Sequence, residues 1–459
     1  MKKTVNHILA AGLLALLSLA SCTDEFIEGN DLQGVDRDKR VEVRLPFGVG
    51  RGITTTITTR AAGGEIDYDS QLSGVMAFVY EAKSDNPEEN ELLAYHLFSN
   101  PSNKPLEGAT GGWIADNDDP TCGEIKFYVP VGDVYIYLLG NAQSSFLNFF
   151  PGVSGGDALG TQAEFFEKAT PKWNGNIHSV DGYLPLTGMV NNNTGLCHVN
   201  EQGQISYTDE EGKTHTLLPD GKHDEDNSFV LKRLMSKITM NIREGKGVKF
   251  TARDYTVRHI PHYVSPTAQA WTEEERDRIL VEDAKPVNFG LLDSLTFTIY
   301  LPENIRKVRS GVEITEYRQR DKVVKTADNK NTEETAPDDF HADNADNHKG
   351  HYKFEFAPKA STYIELTGWF ENADKTVAAD VRYYIHLGNF GKDLNHFSVE
   401  RDHHYTYNVT INGVDDIVVE VEDENEKTPG AEGVVFKHEA FAHIDAHFDQ
   451  VEMKFMRKD

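Results

Sequence analysis

Apolar and polar residues alternate in short runs along most of this chain, and few runs keep a helical period. Val41, Val43 and Leu45 alternate with Glu42 and Arg44, and Ile53 to Thr59 is a β-branched run, so both stretches carry strand chemistry. Gly48, Gly50 and Gly52 interrupt this pattern, and Arg60-Ala61-Ala62-Gly63-Gly64 forms an accessible-looking break directly after it. Further strands are expected at Leu72–Tyr80, Ile125–Val129, Val134–Leu139, Leu234–Ile242, Leu295–Leu301, Tyr352–Phe356, Tyr363–Phe370, Val381–Leu387, Tyr405–Ile411 and Ile417–Val421. Helical periodicity is confined to Thr161–Lys168 and Glu273–Val281, the second with Thr272 as its cap. Many short strands separated by turn residues predict an all-β chain made of β-sandwiches.

Length divides that prediction into parts. The 459 residues exceed one ordinary core and suit two or three domains. The polar stretch Thr208–Asn227 cannot pack a core and precedes a boundary expected near residue 228; Thr326–Gly350 is a second such loop. With 74 acidic and 46 basic residues the net charge is −28, which repels phosphate backbones and excludes nucleic acid as a partner. Three cysteines exclude a disulfide-dense scaffold and any Cys-rich zinc module.

The N-terminus sets the compartment. Lys2 and Lys3 precede an apolar stretch, Ile8–Ala20, too short to span a bilayer comfortably. It ends in Leu19-Ala20-Ser21-Cys22, which resembles a bacterial lipobox; the weighed alternative is an ordinary secretory peptide with a chance Cys. The resemblance implies cleavage before Cys22 and acylation of its thiol, with anchoring of ~0.8 kcal/mol per buried CH₂. Thr23-Asp24-Glu25 resembles the surface-export signal of Bacteroidetes lipoproteins, and residues 23–40 read as a charged tether. Cys122 and Cys197 are then left, either as a disulfide or as two buried free thiols.

Catalytic motifs are missing. There is no P-loop or His-Glu-x-x-His, and Gly48-Val-Gly50-Arg51-Gly52 lacks the spacing of a dinucleotide loop. The expectation is a protein that is not an enzyme and holds no cofactor. His443, Asp445 and His447 would share one face of a strand and are weak metal candidates. Chance clustering among 18 histidines is the preferred reading of them.

Several segments in order resemble the fimbrillin superfamily of Bacteroidetes, the subunits of type V pili. They are Leu45-Pro46-Phe47, Thr59-Arg60-Ala61, Val75–Tyr80, Pro130-Val-Gly132, Val134–Ala142, Leu184–Gly188, Phe229–Ile238, Tyr300–Asn304, Tyr384–Gly388, Phe397–Tyr405 and Val409–Asp415. The resemblance implies two transthyretin-like β-sandwich domains in tandem. It also implies a route in which an Arg-specific surface protease removes the first strand and a neighbouring subunit's strand fills the groove.

Mapped onto this chain, residues 1–21 form the signal peptide, and 22–60 the lipidated N-terminus and removable first strand. Residues 61–228 and 229–422 form the two sandwiches, with Phe229 opening the second, and 423–459 a linker and candidate donor strand. Arg60 and Ala61 flank the expected scissile bond, with Arg44 and Arg51 as less well placed rivals. Val451, Met453 and Phe455 alternate with Glu452, Lys454 and Met456, as a donated strand would, or as a last strand folded on its own domain. The implied partners are other pilus subunits, the outer membrane through the lipid of the precursor, and host or bacterial adhesion targets. The expected place is the cell surface. Alternatives are a lipid-retained anchor or minor subunit, and a non-catalytic glycan-binding surface lipoprotein.

Overall fold

In the computed structural model the described residues are 36–50, 71–101, 109, 112–115, 121–142, 147–148, 160–168, 171–178, 183–190, 194–218, 228–266, 280–291, 295–308, 311–325, 340–341, 351–391, 393–423 and 436–440. They fall into two units, and the chain passes between them at Leu234/Met235, with short exchanges near residues 175–178 and 263–270. The expectation of an all-β chain with two sandwich units holds, and the chief helix among the described residues is α1 (Gln162–Lys168), as expected.

Unit 1 is built around one long strand. Its elements are β1 (Asp36–Val49), β2 (Gly74–Glu81), β3 (Leu92–Ser99), β4 (Trp113–Ala115), β5 (Cys122–Gly140), β6 (Leu186–Gly188), β7 (Leu196–Val199), β8 (Ile205–Thr208), β9 (Thr214–Thr216) and β10 (Phe229–Arg233). Two strands expected at 125–129 and 134–139 are one continuous β5. Pro130 and Gly132, which read as a turn, mark instead where the strand changes neighbours. Its first half lies between β1 and β4. Its second half lies between β2 on one side and β6 and β7 on the other. Gly132 has φ +125, a conformation glycine adopts without strain, which lets the strand bend there without ending.

β2 is buried along its whole length, as a strand covered on both faces must be. One face meets the core; on the other, Phe78 packs against Phe165 of α1 with ring centroids 5.0 Å apart, and Tyr137 stacks on the same ring at 5.1 Å.

β10 requires a correction. Phe229–Arg233 does not open the second domain: it pairs with β6 and with β1. Phe229 and Leu231 enter the unit 1 core, and the inward phase ends with Arg233. The next strand, β11 (Met235–Glu244), belongs to unit 2.

Beside two smaller sheets, two larger ones make up most of the described part of unit 2. One runs β14 (Thr296–Pro302), β11, β17 (His404–Ile411), β18 (Ile417–Asp423) and β19 (Phe436–Ala440). The other runs β13 (Val287–Asn288), β12 (Val248–Arg258), β15 (Tyr363–Asn372) and β16 (Ala378–His386). β19 returns part of the expected 423–459 linker to the edge of its own unit, beside β18.

Candidate functional site: the groove of the first strand

β1 is an interior strand of unit 1. Its alternation does what the sequence suggests: Val43, Leu45 and Phe47 are wholly buried, and Glu42 and Arg44 face outward. Along one side it runs antiparallel to β5, with Val43 opposite Phe127, Leu45 opposite Ile125 and Phe47 opposite Gly123. Along the other, Phe47–Val49 runs parallel to Phe229–Leu231.

Phe47 shows how finely the groove is cut. Its ring meets Trp113 edge to face, 4.9 Å between centroids. The residue opposite it is Gly123, where an added Cβ would lie 3.2 Å from the Phe47 ring and 2.9 Å from the Ile114 carbonyl oxygen. A glycine here makes room for an aromatic from the neighbouring strand. Burial of these three side chains contributes on the order of 1.5–3 kcal/mol each. Their sum is comparable with the whole stability of a small domain, about 5–15 kcal/mol.

The ends of β1 are held by polar contacts. At the exit, Gly50 N–H donates to the Leu231 carbonyl at 2.8 Å, and the buried Arg233 donates through Nη1 to the Gly50 carbonyl at 2.6 Å. Midway, Arg44 donates to Glu124 Oε2 from Nε at 2.8 Å and from Nη2 at 2.6 Å, and the Glu124 side chain is only 9% exposed. At the entry, Lys39 pairs with Glu201 on the surface. The 200–204 turn lies close over the strand there, since a Cβ on Gly203 (φ +76) would lie 2.1 Å from the Glu42 carbonyl oxygen.

Arg233, Glu124, Gly123 and Gly203 were not singled out in the sequence. Their role depends on a register between strands up to 183 residues apart, as in the Arg233–Gly50 bond, and no local pattern carries that.

The predicted site residues Cys22, Arg60, Ala61, His443, Asp445, His447, Val451, Met453 and Phe455 lie outside the described residues. Cys122 and Cys197 are both free thiols, so the disulfide alternative falls. Cys197 sits beside Val134, in the other half of β5 from Cys122, well beyond the ~7 Å Cα separation a bridge allows. Burial also pushes the Cys197 thiol far above its ordinary pKa and keeps it unreactive. Among the described residues no group of three His, Cys, Asp or Glu is placed to hold a metal ion. In unit 1, Trp113 packs in the groove and Trp173 is buried; in unit 2, Trp369 is exposed.

Unit 2 contains a different kind of buried site. Arg320, wholly buried, donates through Nη2 to the Leu387 carbonyl at 3.0 Å and through Nη1 to that of Leu394. Its guanidinium carbon lies 3.8 Å from the centroid of the Phe397 ring. Asp321 Oδ1 accepts from the His386 backbone N–H at 2.9 Å and lies 2.7 Å from His386 Nδ1, which places the imidazole proton on Nδ1. His386 Nε2 is buried with no hydrogen-bond partner among the described residues, and burial holds the His386 pKa below its ordinary value.

A family model described as a domain of unknown function (DUF4906) matches residues 299–409, in unit 2. No curated protein matches the chain. Among solved structures, a C-terminally truncated tip fimbrial protein of Porphyromonas gingivalis is 14% identical, covers 84% of this chain and 99% of its own, and has a TM-score of 0.40. A candidate cell adhesion protein of Parabacteroides distasonis is 10% identical over 82% of this chain and 92% of its own, with a TM-score of 0.41. A fimbrial anchor protein of Porphyromonas gingivalis is 8% identical over 86% of this chain and 99% of its own, at 0.28. At these scores the functional reading rests on the chain's own strands.

Proposed function

We propose that this chain is a structural, non-catalytic subunit of a cell-surface fimbria that supports adhesion. In this reading it is exported as a lipoprotein through Cys22 and carried to the outer surface. Cleavage at Arg60–Ala61 by an Arg-specific protease separates β1 from the rest of unit 1. A strand from another subunit, with Val451, Met453 and Phe455 as its inward residues, then takes the groove.

The observation that supports this reading is the position of β1. It supplies Val43, Leu45 and Phe47 to the core and ends at Val49, ahead in sequence of Arg60-Ala61-Ala62-Gly63-Gly64. A strand held by backbone bonds and alternate apolar side chains can be replaced by any strand with the same alternation, which is the physics of strand addition. An emptied groove would expose apolar side chains and unpaired backbone along β5, so it favours rapid filling.

Limited digestion of the purified precursor with an Arg-specific protease tests it, followed by N-terminal sequencing and electrophoresis. The expected result is a new N-terminus at Ala61 and a ladder of SDS-resistant oligomers, lost when Gln450–Asp459 is deleted. A clean cut that leaves a stable monomer contradicts strand exchange. No cut near Arg60 favours a lipid-retained anchor that keeps its first strand.

A further inference from the structure

We propose that Lys126 and Glu124 read the polar side of the incoming strand and select the tail of a second copy of this chain, in one register. The inference rests on the strand-exchange reading and deepens it by naming the partner.

On the outward side of the β1–β5 pair, Arg44 stands directly opposite Lys126 and Pro46 opposite Glu124. The native pairing is thus a like-charge pair, relieved because Arg44 reaches diagonally to Glu124. Placing Val451, Met453 and Phe455 on positions 43, 45 and 47 changes both pairs. Glu452 then falls opposite Lys126, and Lys454 opposite Glu124. Both direct pairs become complementary, and Gln450 meets the exposed Tyr128. On the inward side Phe455 falls opposite Gly123, the position whose missing Cβ already accommodates the Phe47 ring beside Trp113.

Other registers fail on the same residues. A shift of one residue turns Glu452 and Lys454 into the core. A shift of two in one direction puts Arg457 in the Phe47 subsite, and in the other puts Asp449 in the Val43 subsite. Each buries a charge among apolar neighbours without a partner. Direction is fixed as well, since the strand must run antiparallel to β5 and parallel to β10.

The test is a charge swap in the full-length precursor. Lys126→Glu gives Arg44 an acid directly opposite, so the precursor folds, while Glu452 of an incoming tail now meets a like charge. After proteolytic triggering at low salt, Lys126→Glu is expected to slow ladder formation about 5-fold. Tighter retention of β1 could cause the same slowing, so the deciding measurement is rescue. Adding Glu452→Lys to the same chain, or mixing Lys126→Glu acceptors with Glu452→Lys donors, restores the rate if the tail sits in this register. A rate that stays at the Lys126→Glu level overturns the register and the self-partner, while a wild-type ladder still supports strand exchange. If the cleaved wild type forms no ladder, the underlying reading fails with it.

Discussion

The groove of β1 in unit 1 and the Arg320–Asp321–His386 cluster in unit 2 are both buried, and each is held by a different kind of bond. β1 is fixed chiefly by backbone pairing on two sides and by three apolar side chains, with the partly exposed Arg44–Glu124 pair on its polar side. The unit 2 cluster is fixed by named atoms: a guanidinium on two carbonyls and an aromatic face, and a carboxylate on one imidazole. Backbone bonds and apolar contacts are indifferent to which strand supplies them. A buried ion is not, because removing one member leaves another charge or polar group desolvated. The lesson is that importance to a core and replaceability are separate properties.

The largest effect is expected from Arg320→Ala, which should destabilise unit 2 by about 4–5 kcal/mol in chemical denaturation. Arg320→Lys should recover little of it, since an ammonium cannot bond both carbonyls while lying flat on Phe397. Next comes Phe47→Ala, at about 3–4 kcal/mol for unit 1, whereas Leu45→Met should cost less than about 1.5 kcal/mol. Equal sensitivity of the two units to conservative changes would break the comparison.

The third effect is a pH dependence of unit 2. His259 is half-buried, with Asp283, Arg258 and His386 around it, and its pKa is lowered from 6.5 to about 4, chiefly by desolvation. His386 is lowered by the same cause, and Asp321 opposes the shift. A base with a depressed folded pKa stabilises the fold fully above its unfolded pKa, and that stability is lost as pH falls toward the folded value. Unit 2 should therefore weaken by on the order of 1–3 kcal/mol between about pH 6.5 and 4, and His259→Asn should flatten the slope. His403 acts in the opposite sense, because Asp423 and Glu400 outweigh its burial and raise its pKa, so its contribution is lost as pH rises. Denaturation midpoints across this range decide the matter: an unchanged slope in the variant removes His259 from the account. The smallest effect is Arg44→Ala, about 1 kcal/mol or less, because the arginine is itself a third exposed.

Much of this was legible in the sequence where the physics is local. The alternation of Val41, Val43 and Leu45 predicted the groove strand, and Phe165 and Phe166 fit the helix that covers β2. Other features depend on distant partners. β12 (VKFTARDYTVR) escaped notice because a bulge between Ala252 and Asp254 shifts its phase, so Phe250 and Tyr255 fall out of step while facing the same core. β10 was assigned to the wrong unit because FVLKRLMSKI reads as one run, and only the pairing with β1 and β6 shows where it divides. Within the cluster, Arg320 and Asp321 read as surface charges; nothing near them in sequence announces Phe397 or His386.

β1 and β5 are bonded in parallel rows from Val41 to Gly48. A pull along the axis of a strand in that groove is borne by the whole row at once, in shear, whereas a pull across it would open the bonds one after another as a zipper does. Whatever strand occupies the groove is thus held most firmly against tension along its length, the direction in which the proposed thread of subunits would be loaded.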